Sequence, residues 1–250
     1  MNDPGIAVLS DIHGNRWALE AVLRDIRMRG IRRIVNLGDS FYGPLDPGGT
    51  ARVLLALDIA SVRGNEDRIL VEPVRGAEVP ATLEYGRRSL SRDARRWLES
   101  LKVTAVAFDE LFLCHGTPER DDDYLIEEVT ADGVRQRDAG DLAARLPLVE
   151  QSVVLCGHSH VPRTKRLPPG KLIVNPGAVG LPAYRGDAPY PHSMETESPH
   201  ARYAAIAREA AGWTVEHFAV RYDWEAAAAT AREHGRGDWA RWLRTGRALA

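Results

Sequence analysis

The chain has 250 residues, 44% of them hydrophobic and 27% charged, so it can bury a sizeable core and is not an unfolded tail. Thirty-three Lys and Arg against 35 Asp and Glu leave a formal charge of −2, which gives no overall bias toward nucleic acid or an anionic membrane. Apolar runs stay well short of the roughly 18 residues of a membrane span, and the polar start Met1-Asn2-Asp3-Pro4-Gly5 does not read as a signal peptide. Only Cys114 and Cys156 occur, which excludes a disulfide scaffold and makes a reducing, cytoplasmic setting the expectation.

Short apolar runs ended by Gly or Asp read as buried strands at 6–9, 34–37, 59–62, 111–113 and 153–155. Between the first two, Trp17, Leu19, Ala21, Val22, Leu23 and Ile26 supply a helical stripe over 16–29, and Gly30 sits where a helix stop belongs. That is a βαβ unit with a right-handed crossover. A second helix is expected over 50–57, and 81–101 reads as mostly helical. Strands at 172–174, 203–207 and 214–220 carry more alternation, with Gly212 marking a hairpin between the last two. Residues 224–249 close the chain as helix, broken near Gly235-Arg236-Gly237. Parallel units first and antiparallel strands later point to an α/β fold of two packed sheets with helices outside, in one domain over 1–250. Residues 180–202 hold Pro182, Pro189, Pro191 and Pro199 and lack periodicity, which predicts a structureless lid or excursion.

The informative feature lies just past the strands: Asp11-Ile12-His13-Gly14-Asn15, Gly38-Asp39, Gly64-Asn65-Glu66-Asp67, His115-Gly116 and Gly157-His158-Ser159-His160. Strand ends are where α/β sheets build their sites. Residues two apart on an extended segment point the same way, so Asp11 with His13, and His158 with His160, can each reach one site. Mixed imidazole and carboxylate ligands suit Mn, Fe, Zn, Ni or Co better than Ca. Asp39, alone on its loop with two oxygens, is the natural bridge between two ions. One ion would take Asp11, His13, Asp39 and His160, the other Asp39, Asn65, His115 and His158. Two divalent ions contribute roughly +4 against about −3 from two aspartates and a bridging hydroxide, a local surplus that suits an anionic phosphate ester. Such a pair would lower the pKa of bridging water and neutralise charge developing in an in-line attack on phosphorus.

Taken in this order, Asp11-x-His13, Gly38-Asp39, Gly64-Asn65, His115 and Gly157-His158-x-His160 resemble the calcineurin-like metallophosphoesterases, and most closely their small bacterial phosphodiesterase branch. The resemblance runs from Ile6 to the strand near Tyr203 and implies a four-layer fold, two mixed sheets flanked by helices, with a dinuclear metal centre. It also implies the seven ligands Asp11, His13, Asp39, Asn65, His115, His158 and His160, with manganese the favoured ion. Many members of the family carry a histidine directly after the asparagine, where it serves substrate positioning or leaving-group protonation; this chain has Glu66. A carboxylate is a poor acid at pH 7 unless its pKa is raised, which favours phosphodiesters or activated esters over alkyl monoesters. The missing acid is then Glu66 itself or a lid histidine, His192 or His200.

Asn15 caps the first helix or touches substrate, and Arg63 binds phosphate or makes a structural ion pair. Trp239, Trp242 and Leu243 pack back on the domain, with a homo-oligomer contact as the alternative. Cys114 and Cys156 are small buried hydrophobes, since no Cys-x-x-Cys spacing supports a zinc site with His115 and His158. The arginines of 87–96 alternate with acids and read as a solvated face, and no dedicated nucleic-acid module is visible. The functional expectation is a dinuclear phosphoesterase attacking small-molecule esters directly with a metal-bridging hydroxide. Nucleotidase, dinucleoside polyphosphatase, protein phosphatase and a non-catalytic interaction subunit are the alternatives.

Overall fold

The computed structural model describes residues 5–73 and 79–248. The chain begins with β1 (Ile6–Leu9), α1 (Arg16–Met28), β2 (Arg33–Asn36), α2 (Pro47–Leu55) and β3 (Ala60–Ser61). Three helices follow, α3 (Asn65–Val71), α4 (Ala81–Ser89) and α5 (Arg92–Ser100), then β4 (Thr104–Ala107) and β5 (Leu111–Cys114). The middle of the chain forms β6 (Glu127–Thr130), β7 (Gly133–Gln136), α6 (Ala139–Ala144), β8 (Val153–Leu155), β9 (Arg163–Leu167) and β10 (Lys171–Asn175). The last part comprises β11 (Ala183–Gly186), β12 (His192–Glu195), β13 (Ala201–Glu209), β14 (Gly212–Val220), α7 (Trp224–Glu233) and α8 (Gly237–Thr245).

Two five-stranded mixed sheets result, in the orders β14-β13-β1-β2-β3 and β4-β5-β8-β10-β9. β1, β2 and β3 run parallel, as do β5, β8 and β10. The later strands complete both mixed sheets: β13 pairs antiparallel with β1, Ala7 opposite Ala205. Strand alternation then builds the layers. Ile6, Val8, Val35 and Leu37 meet Leu111, Leu113, Val153, Leu155, Leu172 and Val174 between the sheets. Ala7 and Leu9 face the other way, onto Ala18, Leu19, Val22 and Ile26 of α1. Val154 and Ile173 turn outward with Cys114, Cys156 and Leu142. Each such Val, Leu or Ile contributes about 1.5–3 kcal/mol on burial. Both cysteines are free and buried, and burial pushes the Cys114 thiol up to about 12, as for an inert core residue. No helix among the described residues is long and apolar enough to cross a membrane.

Three segments differ from expectation for local reasons. Residues 81–101 form two helices, because Leu90 is extended and the Ser91 hydroxyl accepts from Ala94 N–H at 3.1 Å, starting α5 afresh. Residues 180–202 contain a hairpin, β11 against β12, registered from Ala183–Glu195 to Gly186–His192. Its four prolines all lie outside the paired residues, so they bracket two four-residue strands that are too short for their alternation to show in the sequence. The closing helix divides at Gly235, whose φ is +75°, into α7 and α8; the expected end at Leu249, like the polar residues 1–4, lies outside the described residues.

Candidate metal centre

The parallel strands of both sheets deliver their following loops to one place, and backbone hydrogen bonds knit those loops together. Asp11 N–H donates to Gly38 O (3.0 Å), His13 N–H to Asp39 O (2.9 Å), Gly157 N–H to His115 O (2.7 Å) and Val179 N–H to Ser10 O (2.9 Å). The approach is close enough to demand glycine. A Cβ on Gly64 would stand 2.1 Å from Asp39 Oδ1, and one on Gly157 2.0 Å from Ser10 Oγ. Eight described non-glycine residues have positive φ, and five are Asp11 (54°), His13 (51°), Asp39 (52°), His158 (68°) and His160 (61°). At a cost of about 1–2 kcal/mol each, backbone strain is concentrated in one constellation.

The side chains converge. Ligand-capable atoms of Asp11, His13 and His160 lie within 4.8 Å of one another, as do those of Asp39, His115 and His158, and those of His13, Asp39 and Glu66. Asp11 Oδ1 is 3.3 Å from His160 Nε2, 3.9 Å from His115 Nε2 and 4.0 Å from His13 Nε2, and Asp39 Oδ2 is 3.2 Å from His115 Nε2. Atoms bound about 2.1 Å from a common ion stand roughly 3–3.5 Å apart, so these separations fit first-row divalent cations. Backbone carbonyls fix the rings: His115 Nδ1 donates to Leu37 O at 2.8 Å and His160 Nδ1 to Leu181 O at 2.7 Å. In the neutral tautomer this turns both Nε2 lone pairs toward the cluster. Asp11 Oδ1, Asn65 Oδ1 and His115 Nε2 are buried without a hydrogen-bond partner, and a cation is what such a donor set would satisfy. The residues therefore fit divalent metal.

Charge is balanced internally. Burial alone would raise Asp11, yet His160, His115 and His13 hold it well below the usual carboxylate range. Asp39, likewise buried, is held at about 2 by His115 and His13. Burial disfavours imidazolium, but Glu66, Asp39 and Asp11 outweigh it and raise His13 to about 9; Asp39 and Asp11 raise His115 to about 10. Burial and neighbouring His115 depress His158 to about 4.

A cavity of about 270 Å³ opens on this cluster, lined by His13, Asp39, Asn65, Glu66, His158 and His160 and also by Tyr42, Leu181, Tyr184, Arg185, Arg236, Trp239 and Trp242. A neighbouring cavity of about 450 Å³ shares His158 and Tyr184 with it and adds Tyr124 and His192. Glu66 Oε2 lies 3.0 Å from His13 Nδ1; its carboxyl is raised by burial, offset only in part by His13.

Other candidates sit elsewhere. Asn15 is the α1 cap: Oδ1 accepts from Ala18 N–H (3.1 Å), and Nδ2 donates to Gly180 O (2.9 Å) and Tyr222 Oη (3.2 Å), so this fully buried side chain is committed to structure rather than to substrate. Arg63 does not line the cavity; its N–H donates to Lys102 O (2.9 Å) beside the bridge of Val62 to Lys102. His200 is drawn to the start of α7, its ring 5.4 Å from Trp224 and its Nδ1 2.8 Å from Ser198 Oγ, and it lines neither cavity. His192 is one residue removed from the cluster: its Nε2 lies 3.0 Å from Tyr124 Oη, and the Tyr124 ring 4.8 Å from that of His158.

Sequence reasoning missed Asp67, Tyr42, Tyr184, Arg185 and Arg236. Asp67 is fully buried, accepts from Ser40 N–H at 2.8 Å with Oδ1 and faces Gly64 N–H at 3.4 Å with Oδ2, tying two ligand loops together. Burial and nearby Asp39 push it up to about 7. Its signal was an acid three residues after Gly64, the spacing of a capping box.

Residues 5–196 match the profile of the calcineurin-like phosphoesterase superfamily domain, and the chain belongs to that superfamily. An uncharacterized protein of Methanocaldococcus jannaschii is 29% identical over 204 residues, covering 71% of this chain and 76% of that one. Among solved structures, a metallophosphoesterase from Sphaerobacter thermophilus superposes with a TM-score of 0.75 at 24% identity, over 97% of this chain and 98% of its own. A hypothetical protein from Pyrococcus horikoshii superposes with a TM-score of 0.72 at 21% identity, over 98% and 99%. Both share the fold described above.

Proposed function

We propose that this chain is a dinuclear metal-dependent phosphodiesterase, with manganese the favoured ion. The observation that carries the reading is the meeting of two His/Asp groups, from loops of both sheets, across Asp39 and His13. Asp11, His13 and His160 would hold one ion; His115, His158 and Asn65 would hold the other, with Asp39 reaching toward both. When bound, such ions supply Lewis acidity to the phosphate oxygens and an activated water.

The protein's own residues do the rest. Asp11 and Asp39 remain ionised at neutral pH and hold opposing positive charge in place. Leu37 and Leu181 carbonyls aim His115 and His160. Glu66 occupies the position after Asn65 and is turned onto His13 at 3.0 Å, a positioning carboxylate behind a ligand imidazole. Glu66→Ala is expected to weaken manganese binding about 10–100-fold, read by metal titration; unchanged affinity would show that the contact does not aim His13.

With Glu66 so engaged and His192 behind Tyr124, the 270 Å³ cavity has, among the described residues, no imidazole beyond the candidate ligands to meet the leaving oxygen. Leaving groups that depart without a strong acid are then favoured. Purified protein with manganese is expected to hydrolyse bis-p-nitrophenyl phosphate faster than alkyl phosphomonoesters. The reverse order would overturn the diester assignment, and no metal-stimulated turnover of either would overturn the enzyme reading.

A further inference from the structure

The matched family domain ends at residue 196, yet three cavity-lining residues, Arg236, Trp239 and Trp242, come from the end of the chain. Trp239 of α8 sets its ring edge-on to His13, with centroids 5.8 Å apart, and Trp242 follows at 6.4 Å from Trp239. The closing helix therefore stands within two ring contacts of a candidate ligand. Arg236 braces this wall: its guanidinium pairs with both Asp238 oxygens (2.9 and 2.7 Å), donates to Thr82 Oγ1 (2.8 Å) and covers the Trp239 ring at 5.3 Å.

Two residues that line this cavity carry donors not used internally. Trp242 is 6% exposed, and its indole Nε1 is buried without a hydrogen-bond partner. A buried, unpaired indole N–H is costly unless something accepts from it. Arg185, on β11, lines the same cavity, is exposed, and makes no ion pair or side-chain hydrogen bond among the described residues. Trp239 and Trp242 are 3% and 6% exposed, so little of either ring is open for a base to stack on. The chemistry offered is thus donation to an acceptor-rich anion rather than aromatic stacking.

We infer that Arg185 and Trp242 form a subsite for a second anionic group, a phosphoryl or a carboxylate, carried by the substrate close to its reacting phosphorus. This rests on the phosphoesterase reading for where the reacting phosphorus sits. It makes the closing helix, outside the matched domain, the specificity element of the site.

The test is calorimetric titration of the full chain, under a fixed excess of manganese, with methylphosphonate, phosphonoacetate and methylenediphosphonate. At least one of the two ligands with a second anion is expected to bind ten-fold or more tightly than methylphosphonate, and the better of the two identifies the group as carboxylate or phosphoryl. Arg185→Gln, at the exposed position of β11, and Trp242→Phe, which keeps the ring and removes the N–H, should each cut that advantage to about three-fold or less while leaving methylphosphonate binding unchanged. Equal binding of all three ligands by the unsubstituted protein, or an advantage that survives in both variants, would overturn the subsite. Turnover of bis-p-nitrophenyl phosphate by the same preparations reports on the hydrolase reading separately. Absent turnover with a retained preference removes the reaction and keeps the anion site; normal turnover without a preference does the opposite.

Discussion

Asp39→Asn is expected to lower manganese-stimulated diester hydrolysis at least about 10²–10³-fold, the scale of losing one group that stabilises charge in the transition state, and to reduce the metal content of the purified protein. Asp39 Oδ1 already accepts Glu66 N–H at 2.9 Å and Oδ2 faces His115 at 3.2 Å, so one carboxylate joins the His115–His158 group to His13. It is buried and held ionised at about 2 by His115 and His13. Asn65 lines the same cavity but is neutral and cannot replace the lost charge. Asparagine is a cleaner probe here than alanine. The residue has φ of +52°, which asparagine tolerates better than most residues, and the amide keeps the shape while removing the charge. Metal analysis with turnover on the same sample decides the matter: a variant that keeps its metal content and its rate would remove Asp39 from the centre.

Metal binding is expected to release close to two protons at neutral pH and to strengthen as pH rises from 6 to 8, by up to about 10²-fold per pH unit. In protein stripped of metal, His13 at about 9 and His115 at about 10 are protonated throughout that range, whereas His158 at about 4 is already neutral. A coordinating ring must give up its proton, so each raised histidine adds one proton to the exchange. The same shifts give the sign for stability without metal. Both rings lie above their ordinary value of 6.5, so the stability they contribute is complete below about 6.5 and is lost as pH rises through 9–10. Manganese titrations in two buffers of different ionisation enthalpy measure the proton count, and a count near zero would contradict the assignment of His13 and His115 as ligands.

Much of the constellation was legible along the chain because its chemistry is local to strand ends. Asp11, His13, Asp39, Asn65, His115, His158 and His160 each follow an apolar run within a few residues, and parallel strands must carry their loops to one edge. What was not legible depends on contacts between distant segments. The β11–β12 hairpin brings Tyr184 beside His160, with ring centroids 4.5 Å apart, although four-residue strands between prolines carry almost no periodic signal. His192 and His200 look equivalent in a stretch rich in prolines and tyrosines. The hairpin places one against Tyr124, while the turn before β13 gives the other to Trp224. Asp67 reads as an ordinary helix-start acid until its Oδ1 is found on Ser40 N–H.

The order of metal-capable residues and the two alternating faces of each strand were determined by the sequence alone, because ligand type is a property of the side chain and the strand period of two belongs to the backbone. Which of those residues meet, which histidine is left outside, and which helix closes the cavity were decided only by the tertiary structure. Those outcomes follow from packing: α8 reaches His13 because Trp239 and Trp242 bury their rings against the core, and neither propensity nor spacing encodes what lies on the other side of a buried ring.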